Sequence, residues 1–326
     1  MKAFEYVTAK TVEGALAALA EKPGASHIKA GGTDLLDEMK ERVIAPERVV
    51  HIRGVSGLNG ISEEADGSVR LGALATLSEI AASEVIRQKY PALAQAAEEA
   101  ATPAIRNVAT LGGNLCQRPR CWYYRGAEFA CLKKGGSTCS AINGINRYHA
   151  VLEWDTCPMV HPSNLAPALI AFDGMALLKG PKSERNVLLE EFFVLPEDRM
   201  ERETVLEPGE LLVGVRLKAP AAGSRSTYRE LREKQSYDWA LVSNAVRLDL
   251  VDGKLTDVRI VLGAVAPVPH RAAAAEKALV GQAITRALAQ AAADAAFTDA
   301  KPLAQNGFKV DLGKVLLRDT LIALAK

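Results

Sequence analysis

Apolar positions in the first 55 residues repeat with two different periods. Thr11, followed by an apolar stripe that includes Leu16 and Leu19, predicts a capped helix that Pro23-Gly24 ends. His27-Ile-Lys-Ala30 is short and extended, and it runs straight into Gly31-Gly-Thr-Asp-Leu35. Met39 and Val43 suit a second helix, and Arg48-Val-Val-His-Ile-Arg53 alternates as a strand until Gly54 breaks it. Residues 1–55 are expected to form one compact unit.

A second unit is expected over 56–176. Ala65-Asp-Gly-Ser68 is a hairpin signal between short strands, and Thr76-Leu-Ser-Glu79 is a capping box that opens a helix stopping at Pro91. Pro91 can start an Ala-rich helix to about Ala101. The chain then enters Thr102 to Asn114, a loop holding all five cysteines, and a capped helix over His161 to Leu169. From 181 to 326 the pattern predicts an α+β module. Its strands lie at Leu211 to Leu217, Leu241 to Leu250 and Val258 to Val265, the last two joined by a hairpin turn at Val251-Asp-Gly-Lys254. Helices follow around 271–279, 284–296 and from Lys314.

Charge narrows the partners. With 40 basic and 39 acidic residues the net charge is +1, so no global field favours nucleic acid or a membrane surface. No run approaches the ~20 apolar residues of a membrane span, and the opening Met1 to Lys10 lacks the apolar stretch of a signal peptide. The expectation is a cytoplasmic protein with no export signal of its own. Export alongside a signal-bearing partner stays open.

Two features carry chemistry. Gly31-Gly32 lies between a strand and a helix, where bare backbone lets N–H groups face a pyrophosphate and Thr33 adds a hydroxyl; Leu111-Gly-Gly-Asn114 is a second loop of this kind. Each pair could equally be a tight turn. The chain lacks GxGxxG after a strand and lacks GxxxxGK[ST], which argues against Rossmann and P-loop sites. The cysteines Cys116, Cys121, Cys131, Cys139 and Cys157 are confined to 42 residues, a grouping that points to a common ligand rather than to scattered core thiols. Their odd number argues against structural disulfides. There is no CxxC pair. Four thiolates can hold either an iron–sulfur cube or zinc.

Four stretches resemble the flavoprotein subunits of the molybdenum hydroxylase family, the medium chains of xanthine dehydrogenase and carbon monoxide dehydrogenase type enzymes. They are Lys29-Ala-Gly-Gly-Thr-Asp-Leu35, Arg106-Asn-Val-Ala-Thr-Leu-Gly-Gly-Asn114, His161-Pro-Ser-Asn-Leu-Ala-Pro167 and Leu206-Glu-Pro-Gly-Glu-Leu-Leu212. The resemblance implies an α+β fold, with a two-lobed FAD-binding domain of vanillyl-alcohol-oxidase type followed by a C-terminal domain of the carbon monoxide dehydrogenase flavoprotein type. It implies FAD held by Lys29, Ala30, Gly31, Gly32, Thr33, Asp34 and Leu35 of the first loop and by Thr110, Gly112, Gly113 and Asn114 of the second. Ser163 and Asn164 match a Ser-Asp pair that reaches the flavin side, so an amide stands where a carboxylate is expected. Arg232 to Ser243 is similar to a segment lying against the isoalloxazine ring. That similarity makes Lys234 a candidate cation near the flavin; the alternative is a surface lysine.

The cysteine segment looks like the extra [4Fe–4S] loop of a subgroup of that family, the 4-hydroxybenzoyl-CoA reductases and bacterial aromatic-aldehyde oxidoreductases. The implied ligands are Cys121, Cys131, Cys139 and Cys157, with nine, seven and seventeen residues between them. Cys116 falls where related chains carry an apolar residue and is assigned to packing. His149 and His161 flank Cys157, and each reads as a packed or hydrogen-bonded histidine. The resemblance implies an electron-transfer subunit of a heteromeric enzyme. A molybdenum-cofactor large subunit would do the substrate chemistry, a [2Fe–2S] small subunit would pass the electrons on, and an external carrier would exchange them. The rival readings are a self-contained flavin oxidase and a zinc-stabilised scaffold without enzymatic activity.

Overall fold

The structure, a computed structural model, describes residues 1–234 and 236–325. Its first layer is a parallel three-stranded sheet in the spatial order Glu5–Thr8, Arg48–His51, Ser26–Lys29. The helix Val12–Ala20 covers it, and Thr11 Oγ1 accepts from Gly14 N at 3.0 Å, as the sequence pattern anticipates. The second helix, Leu35–Lys40, begins directly after the first glycine loop and stops before Val43.

A five-stranded antiparallel sheet forms the second lobe, in the order Ile61–Glu63, Val69–Gly72, Leu211–Leu217, Met175–Lys179, Glu184–Leu188. The sequence pattern places a boundary near 181, yet two strands beyond it, Glu184–Leu188 and Leu211–Leu217, pair inside this sheet. The reason is packing. Val215 and Leu217 are fully buried in the same core as Val69, Leu71 and Ala176, where each large apolar side chain contributes about 1.5–3 kcal/mol. The helix expected from Thr76 to Pro91 is two short ones, Leu77–Ala82 and Glu84–Lys89, because Ser83 has an extended ψ of 122° and caps the second.

The C-terminal module is a four-stranded antiparallel sheet in the order His270–Arg271, Lys254–Gly263, Val242–Val251, Arg225–Leu231. The helices Ala273–Leu279, Arg286–Ala295 and Phe308–Ala325 pack on it. The helix Leu165–Ala171, fully buried, lies between this sheet and the second lobe. Among the described residues no helix is long and apolar enough to cross a membrane.

Candidate flavin cleft and cysteine cavity

The first glycine loop is shaped by contact with the second. A Cβ on Gly31 would stand 2.2 Å from the Val108 carbonyl oxygen, and Gly32 has φ +80°, so both positions need glycine for backbone reasons. Among the described residues the N–H groups of Gly32, Thr33 and Asp34 form no hydrogen bond. The second loop differs. It is the helical turn Leu111–Leu115, where the N–H groups of Leu111 and Gly112 donate to Ala75 and Ala73 carbonyls, each at 2.8 Å, and Gly113 N donates to Thr110 Oγ1 at 3.2 Å. Open backbone donors therefore sit on the first loop, while the second supplies a bare surface at Gly113.

Both loops open into one cleft of about 980 Å³, near the top of the ~300–1,000 Å³ range of ligand sites. Thr33, Asp34, Gly113, Asn114, Ser163, Asn164 and Lys234 line it. The other expected contacts, Lys29, Ala30, Gly31, Gly32, Leu35, Thr110 and Gly112, are not part of this wall; Lys29 Nζ instead lies 5.9 Å over the Tyr6 ring. Asn114 Oδ1 accepts from Ser163 Oγ at 2.5 Å, tying the second loop to the start of the Leu165–Ala171 helix. His161 also lines the cleft. Burial, with Lys133 and Arg120 nearby, pushes its pKa down to about 3, so the ring is neutral, and its buried Nε2 has no partner among the described residues. An orphaned nitrogen, unpaired loop donors and a glycine without side chain make this cleft fit a dinucleotide.

Asp34 turns away from a ligand role. Burial opposes its charge, but Arg120 and Arg125 hold its carboxyl below the ordinary range, with Arg125 at 2.8 Å and Arg118 N donating at 2.8 Å. All three arginines belong to the cysteine segment, so the first loop is anchored to that insertion. Arg118 continues to Glu203 at 2.7 Å, which also pairs with the buried Lys133 at 2.8 Å.

Cys121, Cys131, Cys139 and Cys157 line a second, small cavity of about 10 Å³, close to the roughly 10–15 Å³ that one water needs. Cys116 is outside it, packed against the second lobe's core. The segment folds as three single turns, Trp122–Arg125, Leu132–Lys134 and Ser140–Asn143, and a cysteine immediately precedes each one. None of the three cysteines caps its turn with a side-chain hydrogen bond, although backbone N–H groups lie near two of these sulfurs. Cys121 is approached by the N–H of Tyr123 and Tyr124, Cys139 by Ala141 and Ile142, and Cys157 by Met159. Burial pushes the Cys121 thiol up to about 11 and Cys157 up to about 12, so without metal these thiols keep their protons. All five cysteines are free. Among the described residues no group of three or more His, Cys, Asp or Glu is arranged to hold a metal ion. The donor set fits a cube in chemistry, although the cavity must open to admit one.

The two sites share a wall. Cys121, His149 and Met159 line both. Two cleft residues, Gln117 and Tyr228, carried no sequence signal.

Comparison with known families settles what kind of chain this is. Residues 2–222 match the FAD binding domain in molybdopterin dehydrogenase, and residues 226–324 match the CO dehydrogenase flavoprotein C-terminal domain. The chain belongs to the FAD-binding subunits of the molybdenum hydroxylase family. It is 38% identical over 324 residues to the aldehyde oxidoreductase FAD-binding subunit PaoB of Escherichia coli (strain K12), covering 98% of each chain. It is 30% identical to the carbon monoxide dehydrogenase medium chain of Hydrogenophaga pseudoflava, over 92% of this chain and 88% of that one. A solved carbon monoxide dehydrogenase from H. pseudoflava superposes with a TM-score of 0.80 at 29% identity, covering 99% and 97%. Quinoline 2-oxidoreductase from Pseudomonas putida 86 superposes at 0.77 with 25% identity, covering 100% and 98%. This FAD-binding subunit therefore has the α+β class and the two-part architecture that its sequence implies, and it is a component of an oxidoreductase.

Proposed function

We propose that this subunit relays electrons between FAD in the large cleft, a [4Fe–4S] cluster in the cysteine cavity and an external carrier, while partner subunits carry out the substrate chemistry. The observation that carries the reading is the shared wall of Cys121, His149 and Met159, which leaves single side chains between the two sites. When bound, the flavin exchanges electron pairs and the cluster single electrons, so together they convert one kind of traffic into the other.

The residues have separate tasks. The N–H groups of Thr33 and Asp34 would receive the diphosphate, and Gly113 leaves room for it. Lys234 places a cation on the cleft wall, where positive charge favours a reduced, anionic ring. Cys121, Cys131, Cys139 and Cys157 would supply four thiolates, and Lys133 at the cavity wall offsets their charge. Tyr123, Tyr124 and Met159 restrict access of water to that cavity.

Kinship supports the assembly. The relatives are named as subunits or medium chains of oxidoreductases, so we propose a molybdenum-cofactor large subunit and a [2Fe–2S] small subunit as partners and the cytoplasm as the compartment. A visible spectrum of anaerobically purified chain, with iron and acid-labile sulfide analysis, tests the reading. Flavin bands plus a broad shoulder near ~400 nm and about four irons per chain are expected. Flavin without iron would restrict the relay to FAD, and zinc in place of iron would remove the cluster.

A further inference from the structure

The cleft wall supplied by the C-terminal sheet is organised around a carboxylate in its second row. Glu230, on the strand Arg225–Leu231, has a side chain 3% exposed. It accepts from Asn164 Nδ2 at 2.8 Å, from the Tyr228 hydroxyl at 2.6 Å and from Arg232 Nε. Asn164 Nδ2 also donates to the Tyr228 oxygen at 3.2 Å. A carboxylate paired with arginine only accepts, so it selects one of the two flips open to the Asn164 amide, the one with nitrogen towards Glu230. The Asn164 carbonyl oxygen is then left over. Among the described residues it accepts no hydrogen bond, and Asn164 and Tyr228 both line the cleft.

We propose that Glu230 is a positioning residue that locks Asn164 with its carbonyl oxygen facing the cleft, so that this wall receives an N–H donor of the bound dinucleotide. The proposal rests on the FAD reading above. FAD carries two groups of this chemistry, the N3–H of the isoalloxazine ring and the adenine amino group. The sequence shows an amide where the family pattern has a carboxylate. Here the negative charge stands one row back on Glu230, where Arg232 neutralises it, and a neutral acceptor meets the ligand.

A double-mutant cycle on the full chain tests this, with apo-protein of wild type, Asn164→Ala, Glu230→Gln and the double variant titrated with FAD. A glutamine at 230 pairs with either amide flip, so Glu230→Gln should weaken FAD binding about tenfold, the worth of one hydrogen bond, and should change nothing further in the Asn164→Ala background. Equal weakening in both backgrounds would mean that Glu230 only props the sheet, and the proposal falls. A second measurement does not depend on the folding of any Glu230 variant. Wild type should discriminate about tenfold against either N3-methyl-FAD or the analogue with hypoxanthine in place of adenine, and Asn164→Ala should not; whichever analogue is rejected identifies the donor. Rejection of neither, or equal rejection by both proteins, overturns the proposal. Wild type that binds no FAD at all overturns the flavin reading together with it.

Discussion

Cys121 Sγ and His149 Nε2 stand 3.2 Å apart. Burial, with Lys309 adding to it, pushes the His149 pKa down to about 4, so at neutral pH the ring is uncharged and Nε2 can carry the proton it would donate to sulfur. The backbone of this residue is held separately, since its carbonyl accepts from Asn306 Nδ2 at 3.1 Å and Lys309 Nζ at 3.0 Å. Substitution of the ring should therefore leave the loop in place. His149→Phe should retain iron and flavin while moving the cluster's midpoint potential to a more negative value, because a hydrogen bond to a ligand sulfur favours the reduced state. Potentiometric titration followed by electron paramagnetic resonance measures this, and an unchanged potential would leave the contact without an electronic role.

The four cysteines around the small cavity and the one outside it should behave differently. Serine at Cys121, Cys131, Cys139 or Cys157 should lower iron and acid-labile sulfide severalfold, and Cys116→Ser should leave both unchanged. Metal analysis of the five single variants decides the ligand set, which would need redrawing after a normal cluster content in any of the four.

Glycine substitutions separate packing from cofactor space. Gly31→Ala drives a Cβ to 2.2 Å from the Val108 oxygen and should cost about 1–3 kcal/mol of stability as well as FAD. Gly113→Ala meets only Thr110 Oγ1, at 3.2 Å, and should lose FAD with little change in unfolding. Urea denaturation and flavin content are to be measured on both; equal destabilisation would show that Gly113 also serves the fold.

Asp34→Asn removes the carboxylate that Arg120, Arg125 and Arg118 N share. The expected cost is about 2 kcal/mol, the scale of a charge-assisted hydrogen bond, accompanied by lower flavin occupancy. Thermal unfolding together with flavin content checks it, and full flavin retention at reduced stability would confine Asp34 to a structural role.

Three buried bases give the protein a pH dependence with a definite sign, His149, with a folded pKa of about 4, sharing the acid window of His161. His161 has a folded pKa of about 3 against an ordinary value of 6.5, and Lys309 about 7 against 10.5. Burial heads the causes for both. Each unfolded base binds a proton that the folded one refuses between its two values, so stability rises with pH across each window. His161 contributes fully above pH 6.5 and loses its contribution as pH falls towards 3; Lys309 contributes fully above pH 10.5 and loses it as pH falls to 7. The slope per group is at most about 1.4 kcal/mol per pH unit. Urea midpoints should drop between pH 6 and 4, and His161→Gln should flatten that limb.

Local signals are legible in the sequence, and long-range ones are not. The capping box at Thr76 forms with Thr76 N donating to Glu79 Oε2 at 2.7 Å, because everything it needs lies within four residues. The hairpin at 251–254 is equally self-contained. Leu211–Leu217 was legible as a strand, yet its place between Val69–Gly72 and Met175–Lys179 was not, since register is fixed by a core assembled from distant segments. The gathering of Cys121, Cys131, Cys139 and Cys157 around one cavity was legible through the resemblance. Glu230 was invisible because the sequence pattern predicts no strand at Arg225–Leu231, and only the fold places Arg232, Tyr228 and Asn164 around it. Lys133 and Glu203, both buried, are 70 positions apart and gave no hint of pairing.

The segment 146–151 is completed from the far end of the chain. Asn146 exchanges two hydrogen bonds with Gln305, the carbonyls of His149 and Ala150 accept from Asn306, Val151 O accepts from Lys301 N, and Lys309 Nζ reaches the carbonyls of Tyr148, His149 and Ala264. These partners lie up to 161 positions later in the sequence. At a synthesis rate of roughly 5–20 residues per second, the cysteines are made roughly 8–30 s before the residues that brace this segment. During that interval the cavity's own lining residues are all present, and only the hydrogen bonds that hold the backbone of His149 and its neighbours are missing. Completion of the 146–151 segment, and with it the bracing of His149 beside Cys121, is thereby tied to completion of translation, and a product ending before Lys301 would keep its cysteines and lack these braces.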